Sequence, residues 1–169
     1  MAEEKLKVGG LMQSDGRSML RVLSAFNIMD GPGVIMAALA AQGINVELLV
    51  SAQDQEDAIN LSLVIAGKDL DHALVVAEEV KHDLEARVIT YLPDVTVLTL
   101  FGPHLREKPR IPGVMFTTLA SVGVCPQAIS TSISSVSCVV PGPQAALAVD
   151  AISERFELPY KAQQRPKNW

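Results

Sequence analysis

Apolar and polar positions change their spacing along this chain, and each change of period marks an element. Leu20 to Phe26 is mostly apolar over a strand-like length. Asn27-Ile28-Met29-Asp30-Gly31 then leads to Pro32, whose missing N–H costs nothing in the first turn of a helix. A helix is expected over Val34 to Gln42, with Gly43 as its stop, and a β-branched strand over Ile44 to Ala52. Ala58 to Ile65 sets Ile59, Leu61, Leu63 and Ile65 against Asn60 and Ser62, the period of a half-buried strand. Asp69 to Leu84 places Leu70, Leu74, Ala77, Val80 and Leu84 three or four apart, which predicts a long amphipathic helix. Ala86 to Tyr91 can supply a last strand.

The pattern then repeats. Pro32-Gly33-Val34 and Leu39-Ala40-Ala41-Gln42-Gly43-Ile44 match Pro112-Gly113-Val114 and Leu119-Ala120-Ser121-Val122-Gly123-Val124 at one offset. Val22-Leu23-Ser24-Ala25-Phe26 matches Val97-Leu98-Thr99-Leu100-Phe101, and Ile65-Ala66-Gly67 matches Val140-Pro141-Gly142, at a shorter one. Extra residues around His104 to Lys108 account for the difference. A βαββα unit in each half, closed by a further strand, is the ferredoxin-like βαββαβ arrangement, so the fold class expected is α+β with two such domains in tandem. The second half lacks a convincing final strand, because Glu157-Leu158-Pro159-Tyr160 is short and carries a proline. The strand-like Leu6 to Met12 is unassigned and can complete that sheet, which makes the first repeat an insertion in the second. The boundaries expected are 14–92 for domain 1, 93–158 plus 6–12 for domain 2, and 159–169 for a flexible tail.

Composition narrows the function classes. A chain of 169 residues with 49% hydrophobic content can bury a core, as one ordinary domain or two small ones. Its apolar runs stop well before the ~20 residues of a membrane span, and Met1-Ala2-Glu3-Glu4-Lys5 has no signal-peptide character, so a cytoplasmic protein without membrane partners is expected. A net charge of −5 argues against nucleic acid, which demands a clustered basic face. Cys125 and Cys138 have no metal or redox spacing and are expected as reduced, half-buried thiols. His72 and His82 are ten residues apart, awkward for one helix face, so neither metal nor cofactor is expected. No nucleophile elbow, phosphate-binding loop or His-Glu-x-x-His occurs, which argues against catalysis. Asp54, Glu56 and Asp57 read as a solvated turn, while His104, Arg106, Lys108 and Arg110 read as a solvated loop or a dock for an anion.

Asp30-Gly31-Pro32-Gly33 with its helix and Gly43-Ile44-Asn45-Val46, together with Pro112-Gly113-Val114 and Ile129-Ser130-Thr131-Ser132, resemble the C-terminal regulatory region of aspartokinases, two ACT domains in tandem. The resemblance runs from about Val8 to Leu158. It implies a small amino-acid effector such as lysine or threonine, a homodimer through ACT domains, and a partner kinase catalytic subunit, since the Met1 start looks like the small regulatory subunit without a kinase domain. Two positions depart from the family pattern: Ser51-Ala52 stands where a Gln-Asn pair is usual, with Gln53 one further on, and Ile133 stands where a glutamate usually follows Ser-Thr-Ser.

An amino acid presents a carboxylate and an ammonium, so its site needs free backbone N–H groups and an acceptor. The turn Asp30, Gly31, Gly33 offers both: glycines that allow close approach, a helix start, and a carboxylate that either accepts from the ammonium or caps the helix. Ser51, Gln53, Ser130, Thr131 and Ser132 lie at the ends of edge-prone strands and can orient a ligand or simply face solvent. Asn45 joins them through the family motif. The competing reading is a structural or assembly subunit whose effector site has degenerated.

Overall fold

The computed structural model describes residues 4–103, 105–160 and 162–164, with Arg106 described in its backbone alone. The expectations for His104 and the Arg106 side chain, and those for Lys161 and residues 165–169 of the tail, lie outside the described residues. The chain divides into two compact units: an inner one, Gly16–Asp94, and an outer one built from residues up to Asp15 and from Val95 onward.

The inner unit takes its first strand from β2 (Gly10–Ala25), then α1 (Gly31–Ala41), β3 (Val46–Gln53), β4 (Ile59–Ala66), α2 (Leu70–Glu79) and β5 (Ala86–Phe101). Its strands lie in the order β3, β4, β2, β5, and β4 is antiparallel to both neighbours: Leu20 faces Leu63, and Leu63 faces Leu49. Alternation along β4 turns Leu61, Leu63 and Ile65 into one core with Leu20 and Val22, Ile35 and Leu39 of α1, and Ala73, Val76 and Ala77 of α2. The outer unit repeats the plan. The Val95–Phe101 stretch of β5 is followed by α3 (Arg110–Ser121), β6 (Ala128–Thr131), β7 (Ser135–Pro141) and α4 (Ala145–Arg155). The Gly10–Asp15 stretch of β2 lies on the far side of β5 from β7. Leu98, Leu100, Ile111, Met115, Leu119, Val140, Ala148 and Ile152 form its core, which Leu11 of β2 joins.

The helix stops follow the sequence closely. Gly43 and Gly123 have φ of 69° and 75°. Each donates its N–H two residues behind the cap, to Ala40 and Ala120, while the next residue, Ile44 or Val124, reaches back to Leu39 or Leu119. This is the six-to-one, five-to-two closure of a helix by a left-handed residue.

Several boundaries differ from expectation, each for a physical reason. The strands read at Leu20–Phe26 and Leu6–Met12 are largely one long strand, β2, preceded by a separate β1 (Leu6–Lys7). The break falls at Gly9, where a Cβ would meet the Phe101 carbonyl oxygen and Gly102 Cα at 2.8 Å, because the Gly9 N–H bonds that same oxygen. Ala86–Tyr91 and Val97–Phe101 likewise merge into β5 through Pro93. Both long strands pass from one unit to the other at a left-handed residue, Gly16 with φ 67° and Asp94 with φ 49°. The helix expected to Leu84 ends at Glu79; a turn continues in which the Leu84 N–H still bonds the Val80 carbonyl, so Leu84 stays fully buried although Glu85 turns left-handed. Cys138 is buried and Cys125 exposed; neither is half-buried.

After α4 the chain runs beside the N-terminal segment. β8 (Phe156–Glu157) pairs in parallel with β1, and β9 (Gln163–Gln164) pairs in parallel with Met12–Gln13 of β2. Among the described residues no helix is long and apolar enough to cross a membrane.

Candidate functional site

One end of the inner unit gathers most of the residues singled out there. Pairing places Ala25, Ile59 and Gln53 in a single row across β2, β4 and β3, so the end of β2, the end of β3 and the start of α1 share that end of the sheet. Asn27 organises the approach to the helix. Its side-chain amide donates to the Asp83 carbonyl at 2.9 Å, its side-chain oxygen accepts from the Asp30 N–H at 3.2 Å, and its carbonyl accepts from the Gly31 N–H at 2.9 Å. An asparagine before a helix suits all three roles, being donor and acceptor at once.

Asp30 occupies the cap position, with φ −102° and ψ −18°, but its side chain makes no capping bond and is exposed. The cap reading of this carboxylate is therefore set aside: Asn27 does the local work. Gly31 is buried against Ile59 and Leu84, where a Cβ would stand 3.4 and 3.8 Å from their methyl carbons. Its missing Cβ serves packing against those two side chains. Gly33 is exposed with open space around it, and Pro32 sits in the first turn as expected.

The loop after β3 is tightly built. Asp54 accepts from the N–H groups of Glu56 at 2.8 Å and Ala58 at 3.1 Å, and from the Asn60 amide at 3.3 Å. These donors, led by the Glu56 N–H, hold the Asp54 carboxyl below its ordinary range against an opposing loss of solvation. Asn60 in turn accepts from the N–H of Ser24, whose φ of 51° marks the irregularity where β2 slips register between Val22 and Ala25. Glu56 pairs with Arg87 at 2.9 Å, and the Arg87 guanidinium lies over the Phe26 ring, 4.9 Å from its centre. Gln53 spends its amide on Asp57 at 3.3 Å, and Ser51 is exposed on the edge strand β3. The end of the unit thus bears the carboxylates of Asp30, Asp54, Glu56 and Asp57, with Arg87 engaged by one of them.

Asn45 is not part of this grouping. It precedes Val46, which pairs with Ile65 opposite Ser18, at the other end of the sheet. Beside it sits a feature the sequence did not signal, an ion pair between Arg17 Nε and Glu47 Oε2 at 2.6 Å, with side chains only 5% and 14% exposed. Nothing in the local pattern distinguishes these two from surface residues, because only the pairing of β2, β4 and β3 brings them together.

Ser130, Thr131 and Ser132 belong to the outer unit. Ser130 and Thr131 pair with Ser137 and Val136 on the edge strand β6. Ser132 closes the hairpin: its hydroxyl accepts from the N–H groups of Ser134 and Ser135 and shares a bond with the Ser135 hydroxyl at 2.8 Å, while its own N–H donates to the Ser135 carbonyl. Ile133 stands exposed at the tip. Among the described residues no group of three or more His, Cys, Asp or Glu side chains is placed to hold a metal.

Residues 98–156 of the outer unit, from within the Val95–Phe101 stretch of β5 to the end of α4, match the model of the ACT domain. That stretch is similar in sequence to an ACT domain. An aspartokinase of Bacillus sp. (strain MGA3) is 29% identical over 156 residues, which cover 92% of this chain and 38% of that protein; the chain therefore spans well under half the length of this relative. Among solved structures, the regulatory subunit of aspartate kinase from Thermus flavus superposes with a TM-score of 0.80 at 22% identity, over 89% of this chain and 99% of the other. A structure of aspartokinase alpha and beta subunits gives 0.82 at 22%, with the same coverage. The chain has the ferredoxin-like α+β ACT fold of these regulatory subunits, and its sequence resembles the aspartokinase regulatory region, not a kinase catalytic domain.

Proposed function

We propose that this chain is an amino-acid sensor that regulates an aspartate kinase, and that its effector binds at the end of the inner unit where α1 begins and β3 ends. The observation that carries this reading is the pairing of an uncommitted carboxylate with an open helix start. Asp30 makes no capping bond, and a Cβ at Gly33 would meet nothing; with the Gly31 N–H held by Asn27 and none on Pro32, the Gly33 N–H is the donor the first turn of α1 offers to a carboxylate while Asp30 receives an ammonium. Asp54, Glu56 and Asp57 add negative charge to the same end, which favours an effector with a cationic side chain, lysine ahead of threonine. Dimerisation through ACT domains and a kinase catalytic subunit as the reader of the bound state complete the proposal; coupling requires that effector favour one packing of the assembly over another.

Thermal unfolding against a panel of amino acids tests it. Lysine at a hundred times its dissociation constant should stabilise the protein by about 2.7 kcal/mol, and Asp30→Ala should abolish the shift. A second reading, an assembly subunit with a degenerate site, is favoured by the Gln53 amide and the Ser132 hydroxyl, each spent within its own loop. No shift with any amino acid, in a protein that still associates, would decide for it.

A further inference from the structure

We propose that Gln163–Gln164, with Leu158 and Ala162 behind them, act as a strap that shuts the open edge of the outer sheet against pairing with another chain. In the outer unit, β2 has β5 on one side. β4 pairs with β2 only from Arg17 onward, so among the described residues Gln163–Gln164 are what covers the other side of the Gly10–Asp15 stretch. A bare strand edge presents a row of N–H and C=O groups that templates addition of a further strand.

The strap follows the N-terminal segment in step. Leu6 and Lys7 pair with Phe156 and Glu157, and Met12 and Gln13 with Gln163 and Gln164, both in parallel. Met12 lies six positions after Leu6 and Gln163 seven after Phe156, so the two paired stretches keep nearly the same spacing on both segments. Leu158 and Ala162 pack on the outer core between the two paired stretches. The Lys5 ammonium ties the N-terminal segment to the end of α4, through the Ser153 carbonyl at 2.9 Å. The closing pair is only two residues long and its side chains are exposed, which makes it a local opening unit, one that parts without unfolding the domain. This reading is independent of the effector site in the inner unit.

Hydrogen exchange read by mass spectrometry, with sedimentation velocity on the same samples, tests the strap. Proline at Gln163 and Gln164 removes two N–H donors without touching the core. In Q163P/Q164P the amide that β2 turns toward β9, one of the adjacent pair Met12 and Gln13, should exchange about tenfold faster or more, amides of β6 and β7 should be unchanged, and association beyond the state of the unaltered chain should appear and grow with concentration. A lysine placed on the uncovered edge, Met12→Lys in the same background, should reverse that association. Unchanged exchange at Met12 and Gln13 overturns the pairing, and faster exchange without added association overturns the guarding role.

Discussion

Arg17 and Glu47 meet as a buried ion pair, 2.6 Å from Nε to Oε2, on β2 and β3, which lie on opposite sides of β4. Removing one partner strands the other charge in a site with little solvent. Glu47→Ala should therefore cost about 3 kcal/mol or more in the stability of the inner unit, measured by urea unfolding. A loss under 1 kcal/mol would show that water replaces the carboxylate freely.

Asp30 and Asn27 divide the labour at the start of α1, and substitution should separate them. Asn27→Ala removes bonds to Asp83 and Asp30 and should lower stability by about 1 to 2 kcal/mol. Asp30→Ala removes no such bond, so it should leave the melting temperature of the free protein within about a degree while erasing any effector-induced shift. A large loss of stability in Asp30→Ala alone would contradict this division.

The two helix stops predict a contrast among glycines. Gly43→Ala and Gly123→Ala force a side chain into φ near +70° with no steric neighbour, so each should cost about 1 kcal/mol from backbone strain alone. Gly33→Ala, inside the first turn of α1 and equally uncrowded, should be neutral or mildly stabilising in the free protein. Denaturant midpoints of the three variants provide the comparison, and equal losses at all three would refute the argument.

Acid should loosen the loop after β3 through Asp54. Its carboxyl is held below its ordinary value, chiefly by the Glu56 N–H, so the folded state binds the proton less readily than the unfolded one. That stability is present above the ordinary carboxyl range, around pH 4, and is lost as pH falls through the lower folded value. Asp54→Asn should flatten the acid side of the stability profile, and an unchanged acid limb would remove Asp54 from the account.

The thiols should differ in reactivity. Burial pushes the Cys138 thiol up to about 12, whereas Cys125 is exposed. A thiol reagent at neutral pH should label Cys125 alone in the native protein and both cysteines once it is unfolded. Rapid native labelling of Cys138 would mean that β7 opens readily.

Local chemistry made much of this molecule legible from sequence. The repeat, the Pro-started helices, their stops at Gly43 and Gly123 and the alternation of Ile59 to Ile65 rest on neighbours within a few residues, and from them the ferredoxin-like α+β class followed. Tertiary structure alone decided what depends on strands far apart in sequence. The pairing of β2 and β5 joins them to strands distant in sequence, and the Arg17–Glu47 pair exists only because β4 lies between their strands. The employment of polar side chains was equally hidden: a sequence shows that Gln53, Ser132 and Asp30 have bonding groups, but whether a loop closes on those groups or leaves them to solvent depends on where the folded backbone places its own donors and acceptors.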